Sequence, residues 1–224
     1  MARGTEYDRK FFDEIRAGCQ RSARAAVPVI LELLGHVPDR VVDVGGGEGW
    51  WAEAFHLAGA RWPVVLDGDH DAAVPLLVVD LTKPFAVDPH DLAVCLEVAE
   101  HLPPERAEGF VADLVALAPI VLFSAAMPGQ GGTGHVNCQP PQYWADLFGL
   151  HDYAVSGALR WALWDELDVE PWYRSNLLLA VDRSARDVDA VRHLLAGPLF
   201  DAGRHTLPLH VVAPDLWISL PAGR

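Results

Sequence analysis

Apolar residues recur at helical spacing from Tyr7 to about Ile15 and again from Gln20 to Leu34, where Gly35 and Pro38 stop the pattern. The spacing therefore predicts two helices ahead of the first strand. Arg40-Val41-Val42-Asp43-Val44 is a β-branched run that halts at Gly45-Gly46-Gly47, after which helical spacing resumes from Trp50 to Leu57 and closes at Gly59. Further strands are expected at Pro63–Leu66, ending in Asp67-Gly68-Asp69; at Leu76–Val79, ending in Asp80; at Leu92–Leu96; and at Ile120–Ser124. A helix over Pro104–Leu117 separates the last two. Beyond a Gly-rich stretch, Pro128 to Gly134, the pattern predicts a helix over Pro140–Leu150, strands at Ala154–Leu159 and Asn176–Val181, and a tail helix around Val188–Leu195. Strands that alternate with helices imply an α/β fold with a mostly parallel sheet and helices on both faces.

A chain of 224 residues with no low-complexity linker fits one domain over 1–224, divided into N-terminal helices (1–38), a core (39–181) and a C-terminal extension (182–224). With 51% hydrophobic and 21% charged residues, the composition excludes global disorder. Lys and Arg number 17 against 31 Asp and Glu, so the formal charge of -14 repels polyanions and disfavours nucleic acid as a partner. Cys19, Cys95 and Cys138 are odd in number and widely spaced, which indicates neither a disulfide framework nor a thiolate metal site. No apolar leader follows Met1 and no apolar run reaches spanning length, so a cytoplasmic protein with no membrane association is expected. Abundant Ala, Arg, Pro and Gly suggest a bacterial, high-GC coding sequence; the oligomeric state is left open.

The acidic strand ends carry the chemistry. In an open α/β sheet, ligands bind beyond the carboxyl ends of the strands. Val41-Val42-Asp43-Val44-Gly45-Gly46-Gly47-Glu48-Gly49 places glycines where side chains would block a ligand's approach, and Trp50 stands where a dinucleotide fingerprint needs its last Gly. This run resembles motif I of class I S-adenosylmethionine-dependent methyltransferases. The resemblance implies a Rossmann-like, seven-stranded sheet with an antiparallel last strand, and N-terminal helices that cover the cofactor. It also implies that Asp43, Gly45, Gly47 and Gly49 form the turn holding the amino-acid part of S-adenosylmethionine. Asp67-Gly68 would meet the ribose diol, with Asp69 as the alternate; Asp80-Leu81 would meet the adenine; and Leu96 would lie near the methionine end.

Glu97-Val98-Ala99-Glu100-His101 follows the fourth strand, and positions i, i+3 and i+4 share a face of a starting helical turn. Two carboxylates and an imidazole suit a divalent ion, Mg²⁺ or Mn²⁺, and His135 after the fifth strand can reach the same sheet edge. Glu97, Glu100, His101 and His135 are thus candidate metal ligands. The Glu-x-x-Glu-His string resembles the metal site of small-RNA 3′-end 2′-O-methyltransferases and also a string in ubiquinone-biosynthesis O-methyltransferases. Without a metal, His101 or His135 is the candidate general base. The other eight histidines, His70 and His90 among them, read as surface residues. Tyr7, Phe11, Phe12, Trp144, Trp161, Trp164, Trp172 and Tyr173 are candidates for an acceptor pocket, and the Gly-rich stretch for a lid.

These readings converge on an enzyme that methylates a hydroxyl of a small molecule, such as a sugar, diol or catechol-like acceptor, with or without metal assistance. N- or C-methylation with a histidine base, RNA 2′-O-methylation and a non-catalytic S-adenosylmethionine-binding protein are the alternatives. A nicotinamide oxidoreductase is disfavoured by Trp50.

Overall fold

A computed structural model of the chain describes residues 9–185, 188–197 and 200, with side chains from residue 16 onward. The strands are β1 (Arg40–Val44), β2 (Trp62–Asp67), β3 (Leu76–Val78), β4 (Leu92–Leu96), β5 (Ile120–Ser124), β6 (Tyr153–Ser156) and β7 (Leu178–Asp182). They form a seven-stranded sheet in the order β3-β2-β1-β4-β5-β7-β6. β1 to β5 pair in parallel, and β7 inserts between β5 and β6 antiparallel to both. This is the expected Rossmann-like sheet. The strand order reverses between β1 and β4, which opens a crevice at the carboxyl ends of the strands, where a ligand site belongs.

Why the central strands are apolar throughout follows from what covers them. Val41, Leu92, Val94, Ile120, Leu122, Leu179 and Val181 face α1 (Arg9–Leu34), α2 (Trp50–Leu57) and α7 (Asp189–Ala196). The alternate residues, among them Val42, Val44, Ala93, Cys95, Val121, Phe123 and Ala180, lie beneath α3 (Ala107–Leu117) and α4 (Pro141–Gly149). Period-2 alternation with both faces buried gives continuous hydrophobic runs.

The N-terminal segment corrects one expectation. Where two helices are expected, α1 is a single helix of 26 residues. Gly18 interrupts the apolar pattern, but a helical Gly costs only about 1 kcal/mol relative to Ala. Its missing side chain is also used in packing, because a Cβ there would lie 2.5 Å from Glu170 Oε1. Arg21 donates to the same Glu170 carboxylate, and the Glu170 N–H donates to Ser22 Oγ. Pro28 sits within the helix on its exposed side.

Two short helices appear where the sequence suggests strand. The expected strand through Leu159 stops at Ser156, and α5 (Ala158–Ala162) follows, its first N–H donating to Ser156 Oγ. The expected strand start at Asn176 is the end of α6 (Pro171–Asn176), entered through a proline at the first turn. Arg160 and Arg174 are buried because their guanidinium groups donate to carbonyls of this segment, Gly157 and Ser175 for Arg160, Val169 and Trp164 for Arg174. Of the C-terminal extension, the structure describes α7 and Phe200; the remainder lies outside the described residues. Among the described residues no helix is long and apolar enough to cross a membrane.

Candidate active site

A cavity of about 920 Å³ opens at the carboxyl ends of the parallel strands. Its walls are the loops after β1, β2, β3, β4 and β5, closed by Arg16 and Cys19 of α1 and by Trp172 and Tyr173 of α6. Asp43, Gly45, Gly47, Asp67, Gly68, Asp80, Leu81, Leu96, Glu97, Glu100, His101 and His135 all border it. Gly49 does not. It caps α2 with a φ of 81°, and a Cβ there would lie 2.9 Å from Val65, so its smallness serves packing beneath the turn.

The glycine turn is sealed from behind. A Cβ on Gly45, whose φ is +71°, would lie 2.6 Å from Val98 Cγ2, and one on Gly46 would lie 2.4 Å from the Asp43 carboxyl carbon. Only bare backbone fits here, which leaves the turn open toward the cavity. Asp43 is buried and accepts from the Ala52 N–H at 3.3 Å; burial pushes its pKa up to about 7. Asp67 ties the ends of β1 and β2 together, its Oδ2 accepting from Gly47 N at 2.7 Å and its Oδ1 from Gly68 N. Asp80 is exposed, and its carboxylate is held at about 2 by Lys83 and Thr82.

At the other end of the cavity, the loop after β5 is stitched to the turn after β4. The N–H groups of Val136 and Asn137 both donate to the Glu100 carbonyl, at 2.8 and 2.9 Å. This brings the His135 ring against His101, centroids 4.8 Å apart in an edge-to-face arrangement. Glu100, His101 and His135 each offer a ligand atom, all within 4.8 Å of one another. Metal ligands bonded at about 2.0–2.2 Å lie no more than about 4.4 Å apart, so closure by a few tenths of an ångström would suit an ion. Among the described residues neither buried Glu100 oxygen makes a hydrogen bond of good geometry, and the Glu97 carboxylate lies beside it, an arrangement that favours a proton or a cation. Burial and the neighbouring Glu97 push the Glu100 pKa well up. Burial and the charge of His135 lower His101 to about 4, leaving its imidazole neutral.

Glu97 neighbours Glu100 but is not one of the three residues whose ligand atoms cluster. The helical spacing places it on one face with Glu100 and His101, but the chain enters the turn only at Ala99, and Glu97 has a left-handed φ of 57°. Its carboxylate instead accepts from Asn176 Nδ2 at 3.0 Å and Gln130 Nε2 at 2.8 Å. Burial raises its pKa, against the opposing pull of Asn176, Ser124 and Gln130.

Several residues of the site carry no signal in the sequence. Arg16 donates from Nε to Glu48 Oε2 at 2.8 Å and from Nη2 to Oε1, across 32 positions, and Trp50 Nε1 also donates to Oε2. Asn176 reaches Glu97 across 79 positions. Two histidines assigned to the surface are not there: His90 is buried, and His70 lines the cavity with Nε2 3.7 Å from Asp67 Oδ1. Of the aromatic candidates, Trp172 and Tyr173 border the cavity, whereas Trp144 packs on Phe123 in the core and Trp161 stacks on Trp164 away from the cavity. Tyr7 and the side chains of Phe11 and Phe12 lie outside the described residues.

No protein-family model matches the chain. An uncharacterized methyltransferase of Mycobacterium avium is 38% identical over 74 residues, 28% of this chain and 29% of that protein, and one of Mycolicibacterium paratuberculosis matches to the same extent. The match thus spans less than a third of these curated relatives. Among solved structures, magnesium protoporphyrin IX methyltransferase of Synechocystis with bound S-adenosylmethionine superposes with a TM-score of 0.54 at 19% identity, covering 80% of this chain and 86% of that one. An O-methyltransferase family protein of Burkholderia thailandensis gives 0.55 at 14% identity, covering 77% and 58%. The 1,6-didemethyltoxoflavin-N1-methyltransferase of the same organism gives 0.52 at 16% identity, covering 76% and 80%. With its sheet order, its antiparallel β7 and its cavity at the strand ends, this chain has the Rossmann-like fold of class I S-adenosylmethionine-dependent methyltransferases.

Proposed function

We propose that this protein transfers the methyl group of S-adenosylmethionine to a hydroxyl of a small molecule, with Mg²⁺ or Mn²⁺ held by Glu100, His101 and His135. The observation that carries the reading is the Glu100 carboxylate, buried without a well-formed hydrogen bond among the described residues and set beside two imidazoles, across the sheet edge from Asp67 and Asp80. The bare turn Gly45–Gly47 receives the amino-acid part of the cofactor, Asp67 the ribose, and the loop around Asp80-Leu81 the adenine. The acceptor lies against Trp172, Tyr173 and the Gly131–Thr133 loop, where these walls keep water away from the sulfonium. The acceptor hydroxyl releases its proton to solvent, its oxygen attacks the methyl carbon as the carbon–sulfur bond breaks, and S-adenosylhomocysteine leaves. A divalent ion, when bound, lowers the pKa of a hydroxyl and orients two adjacent oxygens, which favours diols, sugars and catechols.

A histidine-base mechanism for nitrogen or carbon acceptors is the second reading, favoured by the His101–His135 contact itself. At about 4, His101 is too weak a base to compete, so His135 takes the proton in that case. Calorimetric titration of Mg²⁺ and Mn²⁺ into protein saturated with S-adenosylhomocysteine separates the two. Saturable binding that disappears in His135→Ala is expected; no binding by the wild-type protein rules out the metal-assisted mechanism and leaves the histidine base.

A further inference from the structure

Residues 79–91, between β3 and β4, form turns and irregular chain, and Val79, Asp80, Leu81 and Thr82 of this stretch border the cavity. The sheet holds its two ends, the Val79 N–H donating to the Asp67 carbonyl at 2.8 Å and the Asp91 N–H to the Arg40 carbonyl at 3.0 Å. Between them the loop is held from behind by Arg106, which lies in the short turn Pro104–Arg106 ahead of α3 and does not border the cavity. Arg106 Nε donates to the Leu81 carbonyl at 3.2 Å, and Nη2 donates to the Lys83 carbonyl at 3.0 Å. Nη2 also donates to Asp113 Oδ2, and that same oxygen accepts from the Phe85 N–H at 3.3 Å. The Arg106 side chain is only 8% exposed, and a charge so buried is tolerated when it is paired and hydrogen-bonded. Helix α3 is shaped to receive it: a Cβ on Gly109 would lie 2.8 Å from Nη1, and the Phe110 ring centroid is 5.6 Å from the guanidinium carbon.

We infer that Arg106 is a positioning residue for the adenine of the cofactor, setting the edge that Asp80 and Leu81 present to the base. This role rests on the cofactor reading above. The loop has a local turn of its own, in which the Thr82 N–H donates to Asp80 Oδ1 at 3.1 Å and the Lys83 N–H to the Asp80 carbonyl at 3.0 Å. Such bonds shape the turn but leave it free to move as a unit. Each carbonyl that Arg106 holds is coplanar with the N–H of the following residue, so holding it orients the whole peptide. The contact with Leu81 spans 25 positions of sequence and ties the turn to α3, which packs against the central strands. Telling one base from another by hydrogen bonds needs partners fixed to within about 0.5 Å, which a buried fork supplies and a loose turn does not.

The test uses two probes that differ only at the base: S-adenosylhomocysteine and S-inosylhomocysteine, in which a carbonyl replaces the exocyclic amine. Both are titrated calorimetrically into the wild-type protein, Arg106→Met and Arg106→Lys. The wild-type protein is expected to prefer S-adenosylhomocysteine by about tenfold or more, since the inosine base leaves a hydrogen-bond acceptor of the site unpaired. Arg106→Met should bring the two affinities within about threefold of each other while binding S-inosylhomocysteine as the wild-type protein does, which also shows the variant to be folded. Arg106→Lys keeps the charge facing Asp113 but cannot fork to both carbonyls, and should retain only part of the preference; it decides the matter if Arg106→Met does not fold. Equal weakening toward both probes, or an unchanged preference in either variant, would overturn the inference. So would a wild-type protein that binds both probes equally, whereas one that binds neither would remove the cofactor reading beneath it.

Discussion

Gly132 has a neighbour that leaves no room for a side chain: a Cβ there would lie 2.2 Å from both Nε2 and Cε1 of His135. Gly132→Ala therefore has to move the imidazole away from Glu100 and His101. Loss of about tenfold or more in Mn²⁺ affinity is expected, the cost typical of displacing a ligand's support. Affinity for S-adenosylhomocysteine should stay unchanged, because Gly132 lies in the loop after β5, whereas Asp43 and Asp67 belong to β1 and β2. Calorimetry on the variant reads both, and undiminished metal binding would remove His135 from the ligand set. At this scale the sequence is legible where local pattern sets position. Asp43 and Asp67 are recognisable because β-branched runs mark the strand ends on which they sit. Glu97 shows the limit: spacing groups it with Glu100 and His101, but a left-handed backbone turns it toward Asn176 and Gln130.

Among the elements, β5 and α4 meet at one aromatic cluster. Phe123 is fully buried, with ring centroids 5.2 Å from Trp144 and 5.4 Å from Phe148. Phe123→Ala should destabilise the fold by about 3–5 kcal/mol, the usual loss for a buried Phe that leaves a cavity. Urea unfolding measures it, and a loss below about 1 kcal/mol would mean that the helix re-packs over the gap. Strands β1, β4 and β5 and helix α2 lie within the bounds that periodicity predicts, since each is strongly patterned and flanked by breakers. The short helices α5 and α6 do not, being too brief for a 3.6-residue period to show. Their position depends on Arg160 and Arg174 finding backbone carbonyls, contacts that form only once the chain has folded.

For the molecule as a whole, the buried acids make stability depend on pH. Asp43 is raised from 3.8 to about 7 by burial, with Glu97 and Glu100 raised in the same sense. Between those two pH values the folded protein holds a proton at Asp43 that the unfolded chain releases. Its contribution is therefore greatest below about pH 4 and declines as pH rises through 7. Each tenfold change in proton affinity is worth about 1.4 kcal/mol, so the decline from this group is on the order of 4 kcal/mol. A fall in thermal midpoint between about pH 5 and pH 8 is expected for the wild-type protein, and Asp43→Asn should flatten it; parallel pH profiles for the two proteins would contradict the burial of a carboxylate at this position.

The α/β class, most strand positions, and the acids and glycines that border the crevice at the strand ends are all readable from the residues in order. They depend on local periodicity, on chain breakers and on residues that sit at strand ends. Three-dimensional packing was needed to establish that α1 is continuous and reaches the cavity through Arg16, that Asn176 and Gln130 claim Glu97, and that the buried Glu100 carboxylate lies beside two histidines. Those outcomes depend on contacts between distant parts of the chain and on burial, which decides what each polar group has left to bond. Neither quantity is written in the spacing of residues along the chain.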